Sequence, residues 1–213
     1  MQDGACEAGG VMRWVEVFEG LYGRAPVGCG EAALVAAEAR LGVELPAELR
    51  GFLSAVGREA VVMEVHDRFL APDALAVADG RVVFCEENQG VCMWGCAVGE
   101  LAPRVEVGNL VHAAEPVGLE WHLEEVELET FLEERVVLQA AFGGFPHGAT
   151  VGLQGADEAL ARGWEERVRR GCLRVHGRPG VLVVSFAAGG ALSVAARTEA
   201  ELERACDELR RPD

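Results

Sequence analysis

Apolar positions in the first part of the chain recur at helical spacing. Val11, Trp14, Val15, Phe18 and Leu21 share one face of a short first helix that follows a loose leader, residues 1–10. The segment 28–30, with glycine at both ends, breaks the chain. Leu34, Ala37, Leu41 and Leu45 then mark a second helix that is expected to stop near Gly42. Pro46, a residue favoured at the first helical position, opens a third helix with the stripe Leu49, Phe52, Leu53 and Val56, which ends at Gly57. After a less regular stretch the period changes to two. Residues 81–86 and 91–96 read as strands around Glu87-Asn88-Gln89-Gly90, a hairpin signal. Pairing Glu86 with Val91 sets Cys85 against Cys92 and Val83 against Trp94. Both faces are then apolar, the pattern of interior strands.

Strands are further expected at 105–107 and 119–123. A helix carrying Val126, Phe131, Leu132, Val136, Leu138, Gln139 and Phe142 follows, stopped by Gly143-Gly144. A glycine-rich stretch leads to a helix over 157–170, strands at 173–175, 181–186 and 191–195, and a last helix over 199–209. The uncharged run 180–196 is shorter than the ~20 residues of a membrane helix and is split by Gly189-Gly190, so it reads as two strands. No repeat or linker interrupts the chain. The expectation is an α+β fold in one domain, 1–213, with helices packed on an antiparallel or mixed sheet.

Composition narrows the chemistry. With 50% apolar residues but 6% aromatic, the core must rest on Val, Leu and Ala, with Trp14, Trp94, Trp121 and Trp164 as its few large pieces. The formal charge is −16, and the basic residues are all arginine. The absence of lysine removes the phosphate-binding Walker loop, Schiff-base chemistry and the kinase phosphate lysine. So acidic a chain is repelled by phosphate backbones, which disfavours nucleic acid and anionic membrane as partners and favours a basic protein. The N-terminus lacks the features of a secretory signal, and seven cysteines, an odd number, fit free thiols in a reducing cytoplasm.

Candidate reactive residues do not assemble into a motif. Cys85, Cys92 and Cys96 lack zinc-ligand spacing and read as core. His66, His112, His122, His147 and His176 are scattered, and Ser54, Ser185 and Ser193 lie in apolar runs without a nucleophile-elbow turn. Glu86 and Glu87, adjacent on a strand, face opposite sides and cannot share a substrate. No catalytic residue, metal or cofactor is therefore expected. Glu87, Asn88 and Gln89 are turn residues with a second role as partner contacts. Trp121, flanked by Glu120, His122, Glu124 and Glu125, has the surroundings of an interface anchor as well as those of a core residue. Charge is uneven: residues 106–134 hold nine acidic residues and no arginine, whereas 162–178 hold six arginines against Glu165 and Glu166. The acidic run is either a solvated face or a surface complementary to a basic partner.

Three stretches carry a resemblance. The first is Leu41-Gly42-Val43-Glu44-Leu45-Pro46 leading into Phe52-Leu53 and Gly57. The second is Val83-Phe84-Cys85-Glu86-Glu87-Asn88-Gln89-Gly90-Val91-Cys92-Met93-Trp94-Gly95. The third is Thr130-Phe131-Leu132 with the later Leu138-Gln139-Ala140-Ala141-Phe142. Together they resemble the SMI1/KNR4 family of the SUKH superfamily, over a core of 28–142 with 143–213 as a C-terminal extension packed on it. The resemblance implies helices on an antiparallel sheet and, for a bacterial member, a cytoplasmic immunity protein that neutralises a toxin domain, such as a basic nuclease. The alternative is a non-enzymatic regulatory or scaffold module of the same family. The expected protein is a monomer or weak homodimer whose partner surface includes Glu120, Trp121, Glu124 and Glu125, with Glu87, Asn88 and Gln89.

Overall fold

Glycine and proline punctuate the first helices where backbone geometry requires them. In the computed structural model, α1 (Gly4–Tyr22) begins inside the expected leader, since Ala5, Glu7 and Ala8 favour helix. The structure describes residues 4–100, 102–111, 118–152, 160, 163–186 and 190–211, with side chains from residue 13 onward. Gly42 closes α2 (Glu31–Leu41) at φ 70, a left-handed conformation that a side chain would strain. Pro46 is the N-cap of α3 (Ala47–Val56), one position earlier than expected. The stripe Leu49, Phe52, Leu53 and Val56 is buried as the spacing predicts. A single turn, α4 (Ala60–Met63), follows.

The stretch that looked irregular contains β1 (Arg68–Phe69) and β2 (Ala76–Ala78). Asp79 and Gly80, at φ 49 and 76, link β2 to β3 (Arg81–Glu86) with Ala78 opposite Arg81. Two consecutive positive φ angles make this a tight hairpin turn of the mirror-image type, for which Asp-Gly is a preferred sequence. Next come β4 (Cys92–Ala97), β5 (Arg104–Val111) and β6 (Gly118–Glu127). These form an antiparallel six-stranded sheet of order β1-β3-β4-β5-β6, with β2 also on β3. Both strands of the β3–β4 hairpin are thus interior.

The expected hairpin register is corrected. Glu86 pairs with Met93, Cys85 with Trp94 and Val83 with Gly95. The turn is longer than supposed: the Gly90 N–H bonds Glu87 O at 2.9 Å and the Glu87 N–H bonds Cys92 O at 3.0 Å. Val91 is left outside the β3–β4 ladder, 54% exposed. Phe84 is the extra residue of a β-bulge, which turns it and Cys85 toward the side Trp94 occupies. There Phe131 meets Phe84 at 5.8 Å and Trp94 at 5.6 Å between ring centroids. Phe131 lies on α5 (Leu128–Gln139), which starts later than expected because β6 keeps pairing through a register irregularity as far as Glu127. Val126 is therefore a strand residue. Trp14, Phe52 and Phe69 extend this aromatic core, with centroids 5.5 and 4.9 Å apart in turn.

The chain divides into two compact units, one holding residues up to Glu16 with Pro26–Glu133, the other Val17–Ala25 with residues from Glu134 onward. In the second unit α5 runs into a widened helical turn, Ala140–Gly144, where Gly143 has φ 133. The antiparallel sheet of this unit has the order β7-β11-β10-β9-β8. The strands are β7 (His147–Gly152), β8 (Glu165–Arg170), β9 (Leu173–Arg178), β10 (Val181–Phe186) and β11 (Ala191–Ala196). Val181, Val183, Leu192 and Val194 pack with Ala205, Cys206 and Leu209 of α6 (Glu199–Arg210) in one core. Tyr22 stacks on Phe18 at 4.6 Å and meets Phe145 at 5.4 Å.

Strand β7 lies in the stretch expected only as glycine-rich, and the helix expected over 157–170 is misassigned. Most of its first half lies outside the described residues, and its second half is the edge strand β8. Glu166 and Arg169, three apart, imitate helical spacing. In a strand they share a face only because Arg167 is a bulge residue: Glu166 pairs with His176 and Val168 with Val175. The result is an α+β fold with two antiparallel sheets, and among the described residues no helix is long and apolar enough to cross a membrane.

Candidate functional site

The turn residues are held by their own chain. The Glu87 carboxylate accepts the Gln89 N–H at 2.7 Å, so this side chain shapes the turn that carries it. The Asn88 amide stands 3.1 Å from Nδ1 of His66, and Gln89 is exposed. Cys92 is opposite Asn109, which is opposite Glu120, so the turn and Glu120 lie at the same end of the sheet, two strands apart.

The β6 candidates are divided between two faces. Trp121 pairs with Gly108 and lies over it. A Cβ on Gly108 would come within 3.0 Å of the Trp121 ring, and one on Gly95 within 3.3 Å. The two glycines, on adjacent strands β5 and β4, form the bed of the indole. Its N–H donates to Asp79 at 3.0 Å, and the Arg81 guanidinium lies 5.0 Å from the ring centroid. Arg81 in turn donates to Glu106 at 2.7 Å, and that hydrogen bond raises the guanidinium pKa further above its ordinary value. Glu124 belongs to the other face, where it accepts the indole N–H of Trp94 at 3.3 Å. Glu120 and Glu125 are exposed, and Glu120 stands 3.7 Å from Nε2 of His122. The sequence reading missed Asp79, Arg81 and Glu106, whose signal was the Asp-Gly turn. It also missed the alternation Leu119, Trp121, Leu123 on one side of β6.

The acidic run is smaller as a surface than as a sequence. Glu106 is engaged by Arg81, Glu124 by Trp94, Glu129 and Glu133 by Arg13, and Glu134 by Arg170. The exposed carboxylates among the described residues of β6 are Glu120, Glu125 and Glu127, next to Leu123, which is 54% exposed. Of the arginine-rich run, Arg169, Arg170 and Arg178 are neutralised within their own unit. Arg169 binds Glu166 through two bonds of 2.7 Å, which hold that carboxyl below its ordinary pKa. Arg170 binds Glu134 at 2.6 Å, and Arg178, stacked 4.1 Å from the centroid of Trp164, binds Glu208 at 2.7 Å.

The reactive groups of the described residues do not converge. Among the described residues no three His, Cys, Asp or Glu side chains stand together to hold a metal ion. Burial pushes the Cys96 thiol up to about 12 and raises those of Cys29 and Cys206, which suppresses the nucleophilic thiolate. What the described surface offers is an exposed acidic strand with a strip of apolar side chains on one face. Compared with family models, curated proteins and solved structures, the chain finds no match.

Proposed function

We propose that this chain is a cytoplasmic, non-enzymatic immunity protein of the SMI1/KNR4 kind that binds one basic toxin domain and neutralises it. The observation that carries the reading is β6, where Glu120, Glu125 and Glu127 are exposed beside Leu123 at the margin of the first sheet. Complementary charge speeds encounter and excludes like-charged partners, while the apolar row supplies contact area. Two further features support it. The motif residues of the resemblance lie in a helix pair joined through Gly42 and Pro46 and in the hairpin ending in Trp94-Gly95. The buried thiols are disfavoured as nucleophiles.

The test is growth rescue. A basic toxin domain, sought among the products encoded beside this gene, is expressed in cells with and without this protein. Rescue of growth, with recovery of a one-to-one complex, is the expected outcome. Arrest in the presence of well-folded protein would remove the immunity role.

A further inference from the structure

We infer that the outer edge of β6 accepts an extended strand of the partner, one that alternates basic and apolar residues, as an added strand of the first sheet. The inference rests on the protein-binding reading above and specifies how that binding is made.

Backbone direction is the first argument. The Leu110 N–H donates to Val91 O at 3.1 Å, so the Leu110 backbone points toward β4 and away from β6. In an antiparallel ladder, hydrogen-bonded and non-bonded pairs alternate. Leu110 pairs with Leu119, which makes this a non-bonded pair, and the register is regular from Val111↔Gly118 to Glu106↔Leu123. Leu119, Trp121 and Leu123 therefore direct their N–H and C=O groups away from β5. Among the described residues β6 pairs with no other strand. Three residues thus present a continuous outward ladder.

Side chains set the sequence that fits. Leu119, Trp121 and Leu123 share one face of β6, and Glu120 and His122 the other. A strand laid along the edge places its own side chains beside these two rows in alternation. One row is apolar, with Leu123 54% exposed and the Trp121 ring already fixed by Asp79. The other carries Glu120 and His122, while beyond the register irregularity Glu127, opposite Arg104, returns to the face of Leu123, with the exposed Glu125 beside it. The complement is a strand with apolar residues beside Trp121 and Leu123 and basic residues beside Glu120 and toward Glu125 and Glu127.

A second copy of this chain fits less well. Pairing β6 with β6 would set carboxylates against carboxylates, which is destabilising across strands. The arginine-bearing edge β8 is no better, because Arg169 and Arg170 are held by Glu166 and Glu134.

The experiment uses the full chain and a blocked peptide of about eight residues alternating arginine and valine, followed by residue-resolved amide exchange. Binding is expected to protect the amides of Leu119, Trp121 and Leu123. A peptide N-methylated at the amides that face β6 should bind about tenfold more weakly, because it lacks the ladder donors. Leu123→Pro removes an outward N–H without touching the β5 ladder and should weaken binding similarly. Absence of protection at about millimolar peptide, or equal affinity of the N-methylated peptide, would overturn the inference. So would protection of the same amides by raising protein concentration alone, which would make a second copy the occupant. No toxin is needed here, so failed growth rescue with retained protection removes only the immunity reading. Rescue without protection removes only the edge-strand inference.

Discussion

Trp94 and Trp121 lie on opposite faces of one sheet and differ in what lies beneath each ring. Trp94 is 5% exposed and packs on Phe131, as its place in an apolar alternating run implies. Trp94→Ala should cost about 3–5 kcal/mol in urea denaturation, the usual range for emptying a large core site, and a loss under about 1 kcal/mol would show an open ring. Trp121 was ambiguous in sequence because its bed, Gly95 and Gly108, comes from other strands. Gly108→Ala should cost about 1–2 kcal/mol, since its Cβ would meet the indole at 3.0 Å. With Trp121→Ala already present the obstruction is gone. Alanine is then the better strand residue by about 0.5–1 kcal/mol, so the sign should reverse. Equal effects of Gly108→Ala in both backgrounds, measured by denaturing all four proteins, would mean the ring does not cover that glycine.

At the scale of elements, α6 shows how local chemistry fixes a boundary. Thr198 is its N-cap: Oγ1 accepts the Glu201 N–H at 3.2 Å and donates to the Glu201 carboxylate at 2.9 Å. Arg197 binds the same carboxylate at 2.8 Å. Burial alone would raise the Glu201 pKa, but the bonds from Thr198 and Arg197 hold it below its ordinary value of 4.5. A carboxyl lowered in the folded state stabilises above its unfolded pKa and loses that contribution as pH falls through the folded one. Glu201→Gln should therefore be less stable than the parent at pH about 7, with the gap closing on acidification through the carboxylate range; a gap independent of pH would exclude the charged cap. Thr198→Ala should cost about 1 kcal/mol by thermal or urea denaturation. The β3–β4 hairpin carries a second prediction. Its strands are interior, so amides of Val83, Cys85 and Trp94 should exchange only with global opening, whereas Val91, outside the ladder, should exchange fast.

For the molecule as a whole, a charge of −16 matters through its distribution. Most carboxylates of the 106–134 run are engaged internally, which leaves β6 to present Glu120, Glu125 and Glu127. Changing all three to Gln should slow association with the proposed toxin domain by roughly tenfold at low salt and by little at high salt, because attraction between exposed charges is screened beyond about 8 Å at physiological ionic strength. Dissociation should respond instead to the apolar row, through Leu123→Ala. Surface-binding kinetics separate the two rates. An association rate for the triple variant equal to the parent at low salt would remove the acidic strand from the encounter.

The sequence by itself determined what local pattern controls. Helices α2 and α3 with their glycine and proline boundaries, the β3–β4 pair, strands β10 and β11, and α6 follow from periodicity, turn residues and caps within a few positions. It also determined the charge, the absence of lysine and the burial of Trp94. Only the tertiary structure decided the features that depend on residues far apart in the chain. The Asp79-Gly80 turn was readable, but its grip on Trp121 was not, since 42 residues separate the partners. The longer turn moved Val91 out of the β3–β4 ladder, and the bulges at Phe84 and Arg167 each shift the register by one residue, which in strands of period two exchanges faces and left β8 with a spacing that imitates a helix. Likewise the nine acidic residues of 106–134 became, among the described residues of β6, three exposed carboxylates, because which charges meet an arginine is settled by packing and not by composition.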